Sequence, residues 1–152
     1  NCSENGLTLL PNLPSTLVKL NCGDNHLTAL PHLPPTLTTL ICGANKLTAL
    51  PDLPSTVKHI ECSDNELTRL PKLPSTLDSI ECASNQLTQL PALPSTLAFL
   101  FCSSNQLTSL PKVPSPTYLE VVDCSDNQLT SLPKSYLEIE DLVLDYSGNP
   151  IA

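Results

Sequence analysis

The sequence predicts a repeat solenoid: a curved parallel β-sheet on a concave side, extended polyproline-like backbone on a convex side, and few or no helices. Three observations carry this. Cysteines recur at Cys2, Cys22, Cys42, Cys62, Cys82, Cys102 and Cys124, at a spacing of twenty residues that widens only before the last. Each is followed three residues later by Asn and five residues later by Leu. The composition, with 16 Pro, 4 Gly, 3% aromatic residues and neither Trp nor Met, suits a narrow core rebuilt many times from the same side chains. Fixed-period self-similarity of this length is the signature of a stacked array.

One unit reads LxxLxCxxNxLTxLPxLPST, as in Leu77 to Thr96. This is the leucine-rich-repeat signature, with Cys in the sixth place. Alternation around each Cys predicts a short strand. In the fifth unit Ile80 and Cys82 face inward, while Ser79, Glu81 and Ala83 face out. The Asn that follows turns the chain, and its amide can satisfy backbone groups left unpaired at the bend, so stacked units predict an Asn ladder. Two prolines in the LPxLP segment exclude a helix there. The Pro-Ser-Thr that closes the unit is turn chemistry.

The whole of 1–152 reads as a single domain of about eight turns. Two departures interrupt its regularity. Pro114-Ser115-Pro116-Thr117-Tyr118 holds two extra residues, expected to bulge on the convex side or its edge because the strand pattern resumes at Leu119. The final unit, 136–151, replaces Cys by Tyr146 and is atypical, as terminal repeats are. Asn1 is expected within a first strand, whose open edge would allow a monomer or a weak edge-to-edge dimer.

Charge narrows the partners. The net charge of −8 disfavours nucleic acid, which needs a basic surface. No run of 18 apolar residues predicts a membrane span, and no leader is visible at a start that falls in mid-repeat.

The twenty-residue unit with LPxLPST, in segments such as NQLTQLPALP and NQLTSLPKVP, resembles the repeat of secreted effectors from Gram-negative pathogens. That group includes the invasion plasmid antigen family of novel E3 ubiquitin ligases. The closing SGNPIA is similar to the point at which such repeat regions end. The resemblance implies secretion into the host cytoplasm and repeats that select host proteins. In the ligase members a separate helical domain carries a catalytic Cys-x-Asp motif, and this chain contains no such helical region. The sixth column of the subclass is more often Val or Leu than Cys, a departure here.

Other motifs have plain structural readings. Seven cysteines in one inward column have nearly parallel Cβ vectors, which suits neither disulfides nor zinc. They are expected to be free buried thiols in a reducing compartment. Cys62-Ser63-Asp64 and Cys124-Ser125-Asp126 match Cys-x-Asp only because of the repeat. His59 faces away from Cys62, and His26 and His32 have no nucleophile at a recognisable spacing. The sequon Asn1-Cys2-Ser3 is a by-product of the repeat. The chain is not expected to be an enzyme, or to hold a metal or cofactor.

What varies within a strict repeat marks the binding surface. The outward column just before each Cys, and before Tyr146 in the last unit, reads Asn1, Asn21, Ile41, Glu61, Glu81, Phe101, Asp123 and Asp145. The outward column two residues earlier reads Lys19, Thr39, His59, Ser79, Phe99, Val121 and Val143. Both phenylalanines of the protein therefore stand together beside Val121. Glu61, Glu81 and His59 lie on one side, and Asp123 and Asp145 on the other. An apolar cluster with a charged rim is the anatomy of a protein-binding hot spot. The expected partner is a protein with a basic patch. A stand-alone scaffold or adaptor, or a surface adhesin, is the alternative to an effector's target-binding domain.

Overall fold

The computed structural model describes residues 1–151, so that Ala152 of the SGNPIA ending lies outside the described residues. Strands β1 (Lys19–Asn21), β2 (Thr39–Ile41), β3 (His59–Glu61), β4 (Ser79–Glu81), β5 (Phe99–Phe101), β6 (Val121–Asp123) and β7 (Val143–Asp145) form one parallel sheet in sequence order. One helical turn, α1 (Lys134–Leu137), precedes β7. Register is held strictly at one repeat per strand: Leu20 lies opposite Leu40, then Ile60, Ile80, Leu100, Val122 and Leu144. The sheet begins at Lys19, not at Asn1. Asn1 is the sole residue of the first unit in the three strand columns, so the first unit only leans on β1, through Cys2 N–H to Asn21 O at 2.8 Å and Glu4 N–H to Gly23 O at 3.0 Å.

The core is the stack of inward columns: the strand Leu/Ile/Val, the Cys, and the leucines of the LTxLPxLP segment, together with Tyr136. The chain leaves each strand through a residue in the left-handed region. Glu4, Asp24, Ala44, Asp64, Ser84, Ser104 and Asp126 all have φ between 51° and 57°. Gly148 takes that place in the last unit, where any Cβ would collide with the Asp126 carboxylate. Asp tolerates this conformation better than most side chains, which explains its frequency immediately before the Asn.

The Asn ladder is present. Asn65 Nδ2 donates to Cys42 O and Cys62 O at 3.1 Å and to Ser63 O at 3.2 Å, while its Oδ1 accepts Leu47 N–H at 2.9 Å. Each Asn thus ties its own strand exit to two segments of the preceding repeat. The pattern runs to Asn149, which donates to Cys124 O and accepts Leu129 N–H, both at 2.9 Å.

A second ladder runs on the opposite bend. The Pro-Ser-Thr segments form turns, with Leu77 N–H bonded to Pro74 O at 3.1 Å and Leu97 N–H to Pro94 O at 3.2 Å. The Thr hydroxyl of each turn then reaches back one repeat. Thr76 Oγ1 shares its proton between Ser55 O at 2.7 Å and Val57 O at 2.8 Å. This ladder stops at Thr96, because Tyr118 stands in the Thr column after the Pro114–Tyr118 insertion and projects 67% exposed. The insertion leaves the strands untouched: Phe99 remains opposite Val121. In the last unit the second proline is missing and Tyr136 replaces it. The chain is then free to form α1, burying Tyr136 with its hydroxyl on Pro111 O at 3.0 Å.

Asn65→Ala strands the buried Leu47 N–H and leaves Cys42 O and Cys62 O with one amide donor each in place of two, so urea denaturation is expected to show a loss of about 2–4 kcal/mol. Thr76→Val, which touches a more exposed bend, is expected to lose only about 1 kcal/mol. Equal losses would show that the two ladders share the same weight.

Candidate protein-recognition face

The strands are three residues long, with their middle residue buried and the flanking two turned to the concave side. Register then assembles the outward columns. Phe99 lies between Ser79 and Val121, and Phe101 lies between Glu81 and Asp123. Phe99, Phe101 and Val121 are each partly exposed, held at their bases by the sheet. The apolar row does not end at Val121. It continues to Val143, opposite Val121 in the register and 62% exposed. Val143 stands in the outward column where the sequence places it, and it extends the expected cluster of Phe99, Phe101 and Val121 by one repeat.

The charged residues on this face do two different things. Asp123 accepts Ser125 N–H at 3.0 Å and the Ser125 hydroxyl at 2.6 Å. Asp145 accepts Ser147 N–H at 2.9 Å, and hydrogen bonding from Ser147 holds its carboxyl below the usual carboxylate value. Asn1 and Asn21 make the same bond to Ser3 and Gly23. Glu61 is longer and spans two sites, accepting Ser63 N–H at 2.9 Å and Gly43 N–H at 3.1 Å. Its carboxylate lies where a Cβ of residue 43 would be, so a side chain at 43 would push Glu61 out of this position.

An acceptor in the column just before the Cys therefore has a local use: it pairs the outward N–H two residues on. Asp123, Asp145 and Glu61 are partly explained by the fold. Phe101 is not. Like Ile41 it has no acceptor to offer the N–H two residues on, and it is the one residue of this column to place an aromatic ring there. Glu81, exposed and without such a bond, remains a free charge beside it. His59 stands outward with Nδ1 at 3.8 Å from Asp78 Oδ2, both side chains about half exposed, a contact of little energetic weight.

The cysteines supply no chemistry. Among the described residues all seven are free, and six are fully buried. Burial, reinforced by the Cys2 thiol and Glu61, pushes the Cys22 thiol up to about 12, and burial alone does the same at Cys82. Cys62 is raised well above its ordinary value, first by burial. Cys124 reaches about 11, for burial and the nearby Asp123 and Asp145. Such thiols are poor nucleophiles at neutral pH, which removes both Cys-x-Asp matches from consideration. No group of three His, Cys, Asp or Glu among the described residues is arranged to hold a metal ion, and no described helix is long and apolar enough to cross a membrane.

This architecture superposes on the leucine-rich-repeat domain of a Shigella effector with a TM-score of 0.93 and 35% sequence identity, over 99% of this chain and 69% of that one. The chain belongs to the bacterial effector leucine-rich-repeat family. YopM, a leucine-rich effector protein of Yersinia pestis, matches this effector repeat domain with 32% identity and a TM-score of 0.79, over 97% of this chain and 48% of YopM. A leucine-rich-repeat protein of Leptospira interrogans shares the fold at 22% identity and a TM-score of 0.55, over 95% of this chain and 48% of that one. The repeat domain thus spans about half of the latter two chains. No protein-family model and no curated protein sequence matches it.

The raised thiols set an alkaline limit. An unfolded chain loses these protons near the ordinary value of 9.0, while the native core keeps them to about 11–12. The native state therefore binds more protons in this window, and the stability this gives is complete below pH 9 and lost as pH climbs towards 12. The thermal midpoint is expected to fall over that range, and less steeply for Cys62→Ala/Cys82→Ala than for the unaltered protein. Parallel slopes would show that the thiols are not the titrating groups.

Proposed function

We propose that the concave face is a protein-recognition surface and that the chain is the target-binding repeat domain of a secreted bacterial effector. The observation that carries this reading is Phe101. It occupies a column in which Asp123, Asp145, Glu61 and Asn21 serve the backbone, and it contributes nothing equivalent to the fold. Together with Phe99, Val121 and Val143 it gives an apolar centre on β5–β7, and aromatic side chains there are the usual anchors of binding. Glu81, Asp123 and Asp145 form the rim, beyond which lie Glu61 and His59. A net charge of −8 favours a partner with a basic patch, which the acidic rim orients and the aromatic centre holds.

Kinship with effector repeat domains supports action inside a host cell, and a core of seven unpaired cysteines is consistent with a reducing compartment there. In effectors of the ligase kind, the same face would select the protein presented to the catalytic domain.

Capture of host proteins on immobilised protein tests the reading. Phe99→Ala/Phe101→Ala is expected to weaken a captured partner by roughly thirtyfold or more, the signature of hot-spot residues. Circular dichroism and the melting temperature are expected to stay unchanged, since both rings are partly exposed. The same partners held equally well by the variant would move recognition off this face.

A further inference from the structure

The outward residues just after the strands carry a hydrogen-bonding pattern with one gap. They are Ser3, Gly23, Gly43, Ser63, Ala83, Ser103, Ser125 and Ser147, one to a repeat. Their N–H groups find no partner in the sheet. Six of the eight bond a side-chain acceptor instead. That acceptor stands two residues before the N–H, except that Gly43, which follows Ile41, takes Glu61 from the next repeat.

Where the donor is Ser, its hydroxyl can join. Asn1 Oδ1 accepts Ser3 N–H at 3.0 Å and the Ser3 hydroxyl at 2.9 Å. Asp123 Oδ1 does the same at Ser125, at 3.0 and 2.6 Å. A single Ser thus makes a two-donor notch for one oxygen. The notch holds carboxylates even on this acidic face. Asp145 lies beside Asp123 in the register, yet hydrogen bonding from Ser147 keeps its carboxyl below the usual value.

Ala83 and Ser103 are the exceptions: among the described residues, neither N–H has a partner. They are not equivalent. Ala83 has Glu81 two residues before it, a carboxylate on its own chain. Ser103 has Phe101, and the next repeat offers only Asp123, which already serves Ser125. The Ser103 carbonyl is satisfied by Ser84 N–H at 3.0 Å and Asn105 Nδ2 at 3.1 Å, so only its two donors are left over. Ser103 is half-buried, and its empty notch opens in the repeat that carries Phe99 and Phe101.

We propose that the Ser103 notch takes a carboxylate of the partner protein, an Asp or Glu side chain seated beside the Phe101 ring. This inference rests on the concave face being the recognition surface and adds what the partner presents there. The occupant follows from the notch. Two donors on one residue suit a single acceptor oxygen, and the copies within this chain are filled by Asn and Asp oxygens. A charged acceptor gains more from such donors than a neutral one. Glu81 and Asp123 lie on either side of Phe101, so basic groups around the partner's carboxylate have charges to meet. The carboxylate is then one acidic point inside a basic patch.

The test is a titration of the whole chain with sodium 3-phenylpropanoate, a carboxylate joined to one ring, read by NMR amide-proton shifts at constant ionic strength. The Ser103 amide is expected to move downfield and saturate, while the Ser125 and Ser147 amides stay in place. The neutral 3-phenylpropanamide is expected to bind roughly tenfold more weakly or worse. Ser103→Ala keeps the N–H and loses the hydroxyl, in a column that already holds Ala83, and is expected to weaken the carboxylate roughly threefold or more. Phe101→Asp supplies the missing acceptor from the chain itself. It is expected to move the Ser103 amide downfield without any probe and to abolish the response. No Ser103 shift with about 50 mM probe would overturn the proposal. So would equal binding of the neutral amide, or an unmoved Ser103 amide in Phe101→Asp. These outcomes leave the concave face itself untouched, since that reading fails only if host partners are held unchanged by Phe99→Ala/Phe101→Ala.

Discussion

The side-chain amide of one Asn per repeat is the constraint on which the rest of this molecule depends. A sheet of three-residue strands must turn away after every strand, and the turn exposes N–H and C=O groups inside the stack where water cannot reach them. Asn resolves this because its single side chain both donates and accepts. At Asn85, Nδ2 takes Cys62 O and Cys82 O while Oδ1 takes Leu67 N–H. Asp lacks the donor, and Ser cannot span two repeats with both functions. Once the Asn is fixed, the residue before it must enter the left-handed region. The strand before that is held to one register, and the next repeat can stack only one residue period away.

A rigid inside releases the outside. Inward columns here hold Leu, Ile, Val and Cys almost without exception, whereas outward columns hold charges, amides, aromatics and glycines on the same backbone. Variation outside is still not free of structural cause. The acceptors at Asp123, Asp145 and Glu61 pair backbone N–H groups, and the Glu61 carboxylate occupies the space that a side chain at 43 would take. Only after this local use is subtracted does a residue such as Phe101 become evidence for a partner.

Period, strand phase and Asn role were legible in the sequence because each rests on side-chain identity at fixed spacing. Phe99, Phe101 and Val121 were placed together correctly for the same reason: register in a parallel stack follows from the period alone. Beyond the Asn ladder, features that depend on a side chain reaching a different repeat were not legible. The Thr ladder was hidden because Pro-Ser-Thr explains itself as a turn, and nothing in a single unit says that Thr76 bonds Ser55. The span of Glu61 to Gly43 was hidden likewise. Val143 lay in the correct column, but the loss of the Cys at Tyr146 and the helical turn at Lys134–Leu137 made the last unit read as an ending and not as a continuation of the face. The first strand was expected one repeat early, because the Cys and Asn of that unit are present while the strand residues before Asn1 are not.

Hydrogen exchange of individual amides tests the central claim most directly. The N–H groups of Leu47, Leu67, Leu87 and Leu107 lie outside every strand, and each bonds only to the Asn Oδ1 of the next repeat. If the Asn ladder holds the stack, these amides are to exchange as slowly as those of Cys62, Cys82 and Cys102, which bond the backbone of the neighbouring strand exit. Exchange of the leucine amides at the rate of the surface turns, with the cysteine amides still protected, would contradict the account and leave the sheet alone as what holds the repeats together.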